Sequence, residues 1–91
     1  MNFYSSQQTH RINKSMVVDA IANYVMQTTN VGVTSVVKLD EITQNFRHAC
    51  GVAGDVMFLP INYFAVPELN TNVAYYFCAY CGTLYVQKDF M

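Results

Sequence analysis

Three cysteines and a histidine carry the chemistry most open to this chain. Cys78 and Cys81 stand at C-x-x-C spacing, and Gly82 follows directly. That spacing lets both sulfurs turn toward one point, which is half of a tetrahedral metal site. The nearest further ligand types are in His48-Ala49-Cys50. Together His48, Cys50, Cys78 and Cys81 would make a Cys₃His donor set, with His10 as the other available histidine.

What positions these residues decides whether they can meet. Residues 40–50 carry Ile42, Phe46, Ala49 and Cys50 at helical spacing, with Asp40 as a cap, Leu39 as a staple and Gly51 as a stop. In a helix, residues two apart lie about 200° apart around the axis. A helical His48 and Cys50 therefore could not share a metal. The expectation is that Cys78 and Cys81 are small buried side chains flanking a turn. The alternative is a structural zinc site.

The run Tyr76-Phe77-Cys78-Ala79-Tyr80-Cys81-Gly82-Thr83-Leu84-Tyr85 is similar to the knuckle of zinc-ribbon and rubredoxin proteins. In those families the turn after the second cysteine frees backbone amides to hydrogen-bond the thiolates. The resemblance implies Cys78 and Cys81 as ligands; it covers only this run, and a second C-x-x-C is missing. A redox pair is disfavoured because the motif sits between two strand patterns rather than at a helix N-terminus. The pattern also echoes zinc deaminases, but Cys50 stands where their proton-transferring glutamate would be. A His48–Cys50 nucleophile pair has no readable third partner. Asp40-Glu41 reads as capping, and Gly51-Val52-Ala53-Gly54 lacks the lysine of a phosphate loop.

Around these residues the chain reads as one α+β domain, two helices packed on one face of a small antiparallel sheet in the order α-α-β-β-β. Residues 1–13 form a polar N-terminal arm carrying Phe3-Tyr4, residues 15–50 the helical part and 55–91 the strands. Ser15 caps a helix over Met16–Thr29, with Val17, Ile21, Tyr24, Val25 and Thr28 on its buried stripe, and Asn30-Val31-Gly32 ends it on the glycine. Val33–Lys38 suits either a strand or more helix. Val56–Leu59 and Ile61–Val66 are strands broken at Pro60, Pro67–Asn72 is a turn, and Val73–Tyr80 pairs with Thr83–Phe90 as a hairpin.

Composition narrows the function classes. Charged residues make up 12 % of the 91 and hydrophobic residues 53 %, with a net charge of -1. The five cations are scattered, which argues against a nucleic-acid partner. An odd cysteine count argues against a disulfide scaffold. No apolar run reaches membrane-spanning length, and no signal peptide is evident, so the expectation is no membrane and a cytoplasmic location.

Seven tyrosines and six phenylalanines are many for one small core. With helices on one sheet face, the other would present Tyr76 and Tyr80, with Tyr75 and Tyr85 among the contact residues and the Phe3-Tyr4 arm alongside. Such a surface suits a protein partner or a homodimer. The leading expectation is thus a non-enzymatic interaction protein without cofactor, a regulator or inhibitor. In size and composition it is similar to small phage-encoded proteins that block host or defence machinery.

Overall fold

Val17, Val18, Ile21 and Val25 recur at helical spacing and are all buried, so one stripe of a single helix builds half a core. In the computed structural model, which describes residues 14–43 and 45–88, this helix is α1 (Lys14–Thr29). It ends where Asn30 takes a left-handed conformation (φ 62) and donates its amide to Met26 O at 2.8 Å. The stop is thus made by Asn30 rather than by Gly32, asparagine being the other residue that tolerates this region. Tyr24, expected inside, lies at the margin and meets Phe64 edge-on at 5.7 Å between ring centres.

Six strands follow: β1 (Ser35–Leu39), β2 (Asn45–Cys50), β3 (Asp55–Pro60), β4 (Asn62–Val66), β5 (Thr71–Phe77) and β6 (Thr83–Gln87). Four form a mixed sheet in the order β1-β6-β5-β4; β1 runs parallel to β6, and the other pairs are antiparallel. β2 and β3 make a separate antiparallel hairpin. The turn from Pro67 and the β5–β6 hairpin stand where the sequence puts them, while the break expected at Pro60 falls one residue later, at Ile61. Val33–Lys38 resolves largely into β1.

The second helix does not form. Residues 45–50 are strand β2, and Asp40, rather than capping a helix, follows β1 and pairs with Lys88 at 3.0 Å. A rival period of two wins in this segment: Phe46, His48 and Cys50 turn inward while Arg47 and Ala49 are exposed. β3 offers the matching pattern, with Leu59 buried and Met57 half-buried inward, Val56 and Phe58 exposed outward. Cross-strand pairing of the two decides against the helix. The α+β class stands, with one helix and six strands among the described residues.

Both faces of the main sheet are covered, which creates two cores. On one face Val73, Tyr75, Leu84 and Val86 pack against α1. On the other, Tyr76 and Cys78 pack against Cys50 and Leu59 of the hairpin, with Phe46 and Tyr85 beside them. Alternation along β5 and β6 sends neighbouring residues into opposite layers. Among the described residues, no helix is long and apolar enough to cross a membrane.

Candidate metal centre

The hairpin layer places its candidate ligands by strand geometry. Residues two apart on a strand share a face, so β2 points both His48 and Cys50 at the main sheet. They are 5 % and 2 % exposed. Cys78 and Cys81 come from the turn between β5 and β6. The Cys78 amide donates to Thr83 O at 3.0 Å, and the Gly82 amide to Cys78 O at 2.8 Å, closing that turn.

Gly82 carries φ +81, and the turn is backed by the chain leaving α1. A Cβ built on Gly82 would lie 2.5 Å from Gly32 O. Thr34 fixes the same turn twice, its amide donating to Gly82 O and its hydroxyl to Cys81 O, each at 2.8 Å. Gly82→Ala should therefore lose roughly 2–3 kcal/mol in chemical denaturation, conformational cost and overlap together. Gly54, at φ +74 with nothing within 4 Å, is the control: Gly54→Ala should lose only about 1 kcal/mol. Equal losses would mean that the backing carbonyl does not matter.

The four residues converge. One ligand atom from each of His48, Cys50, Cys78 and Cys81 lies within 4.8 Å of all the others. Cys78 Sγ is 3.7 Å from Cys50 Sγ, and His48 Nε2 is 3.3 Å from Cys81 Sγ. A tetrahedral zinc with ordinary bond lengths needs sulfur–sulfur edges of about 3.8 Å and nitrogen–sulfur edges of about 3.6 Å. The two measured contacts fall close to those edges. All three cysteines are free thiols.

Hydrogen-bond donors surround the sulfurs. The Ala53 amide donates to Cys50 Sγ at 3.3 Å. Burial pushes the Cys78 thiol up, and the backbone amides of Cys81 and Tyr80 oppose that shift. Burial also pushes Cys81 up, but hydrogen bonds from the Thr83 hydroxyl and amide, then His48 and Cys78, outweigh it and lower the thiol to about 6. The Thr83 hydroxyl is 3.2 Å from Cys81 Sγ. Such donors favour the thiolate, the form that binds metal.

Behind the histidine stands Tyr85, its hydroxyl 2.6 Å from His48 Nδ1. Burial raises the Tyr85 pKa, with the charge of the nearby Cys81, Cys78 and Cys50 sulfurs adding to the shift. The phenol thus stays neutral and holds the imidazole with Nε2 toward the sulfurs, the outer support common to metal-binding histidines. No known family, curated protein or solved structure matches this chain.

Among the other sequence candidates, Tyr76 is fully buried and Tyr75 is 5 % exposed. The free tyrosine face expected from two helices does not exist at these positions, because the hairpin covers it. Tyr75 faces the α1 core instead, with its pKa raised by burial and then by Tyr24. Tyr85 is half-buried in the centre, and of these four tyrosines Tyr80, in the turn, is open at 63 %. Phe3, Tyr4 and His10 lie outside the described residues. Sequence reasoning missed Tyr85 as a histidine support and Thr83 as a thiolate donor. The period of two in Phe46-x-His48-x-Cys50 was the signal that would have joined the two halves.

Proposed function

We propose that this protein is a small, non-enzymatic module built around one structural zinc ion, held by His48, Cys50, Cys78 and Cys81. The observation that carries this is the convergence of four soft and borderline donors within 4.8 Å on a buried face. Three sulfurs and one imidazole suit zinc better than magnesium or calcium, which take oxygen. Four protein ligands complete a tetrahedron and leave no open position for a substrate, so the role is structural rather than catalytic. Tyr85 behind His48 and the amides around the sulfurs support the same reading.

Elemental mass spectrometry of tag-free protein, purified without chelator, should find zinc stoichiometric with the chain. Stripping that zinc should lower the midpoint of chemical denaturation, and adding it back should restore the midpoint, because binding energy at such a site is folding energy. Protein that folds fully, carries no metal and takes up none when zinc is added would defeat the proposal.

A further inference from the structure

We infer that the β2–β3 hairpin is a cover latched by the metal over the Tyr76 face of the main sheet, able to lift when the metal leaves. The inference rests on the zinc reading above and adds a moving part to it. Three observations support the latch.

First, the two layers differ in self-sufficiency. The main sheet has four strands and a helix, with its own core of Val17, Ile21, Val25, Val73, Leu84 and Val86 among others. Three or more strands with a helix on one face can stand alone, whereas an isolated two-stranded hairpin is marginal in water. Second, among the described residues the hairpin shares no strand ladder with the main sheet. Its side-chain bridges to that sheet include His48–Tyr85, His48–Cys81 and Cys50–Cys78, all within the ligand cluster or on its histidine support. Beyond them, Phe46 stacks on Tyr76 at 4.9 Å, and Tyr76 bonds Thr43 just ahead of β2. Third, the ligands are divided between layers. His48 and Cys50 belong to the hairpin, while Cys78 and Cys81 belong to the turn that joins β5 and β6 of the main sheet. One ion therefore ties the two, and its loss leaves three thiols and an imidazole with no common partner.

Lifting the hairpin about Ile61, which separates β3 from β4, would uncover Tyr76, Tyr85 and Phe46. That is an aromatic surface hidden in the latched form. The device makes availability of that surface depend on zinc.

Hydrogen exchange of the full chain, read by mass spectrometry with zinc bound and after chelation, tests this. Chelation should speed exchange in residues 45–60 about tenfold or more beyond the general rise that lower global stability brings to amides in α1, β5 and β6. Adding zinc back should reverse the change. If zinc binds stoichiometrically but chelation exposes α1 and β5 as much as the hairpin, the latch is wrong and the metal holds the whole fold. If zinc binds and its removal changes no segment, the latch is wrong again. Failure to take up any zinc would overturn both this inference and the function beneath it.

Discussion

Cys78→Ser should leave the protein without zinc and cost roughly 3 kcal/mol or more, a fall of about 12–24 °C in melting midpoint for a domain of this size. The exchange of sulfur for oxygen is almost isosteric, so little cavity is created. The loss should come from the metal. Cys78 is fully buried, 3.7 Å from Cys50 Sγ, and receives backbone amides from its own turn. Its serine replacement offers a poor zinc ligand in the same place. The decisive comparison is therefore in chelator, where the variant and the parent chain should melt together. A gap that persists in chelator would mean that Cys78 acts by packing alone, and normal zinc content in the variant would remove it from the ligand set.

Tyr76→Ala should destabilise the fold by about 4 kcal/mol in chemical denaturation, within the usual range for truncating a buried aromatic ring. The ring is fully buried, stacked on Phe46 and edge-on to Tyr85 at 6.3 Å. Its hydroxyl accepts the Thr43 amide at 2.7 Å and donates to Thr43 O, closing both polar groups of one residue ahead of β2. Tyr76→Phe keeps the ring and removes only those bonds, so about 1–2 kcal/mol is expected. A Tyr76→Ala chain as stable as its parent would show the Tyr76 face to be open in solution.

The sequence made parts of this fold legible because their local and tertiary signals agree. Val17, Ile21 and Val25 have one periodicity and one use. Leu84 and Val86 alternate with Tyr85 and Gln87, and β6 follows that alternation. Pro60 marks the strand break in sequence, and in space it is the last residue of β3, with Ile61 forming the break itself. Residues 40–50 are different, since Ile42, Phe46 and Ala49 support a helix while Phe46, His48 and Cys50 support a strand. Only β3 breaks the tie, through pairs such as His48 with Met57 and Cys50 with Asp55.

That single choice propagated. A helix separates His48 from Cys50 and leaves the far face of the sheet bare, which favours an exposed tyrosine surface over a metal site. A strand aligns the two ligands and folds a hairpin over the tyrosines. The C-x-x-C half of the centre was readable because its geometry is local. The other half depended on a pairing 28 residues away from Cys78, which local periodicity does not encode.

That separation has a thermodynamic side. A metal bridging Cys50 and Cys78 acts as a cross-link between chain segments 28 residues apart. In the chain-entropy account of cross-links, closing a loop of that size contributes roughly 3–4 kcal/mol by restricting the unfolded chain. Zinc that stayed bound as the chain unfolded would thus restrict the denatured ensemble, whereas zinc released on unfolding would contribute its whole binding energy to the native state.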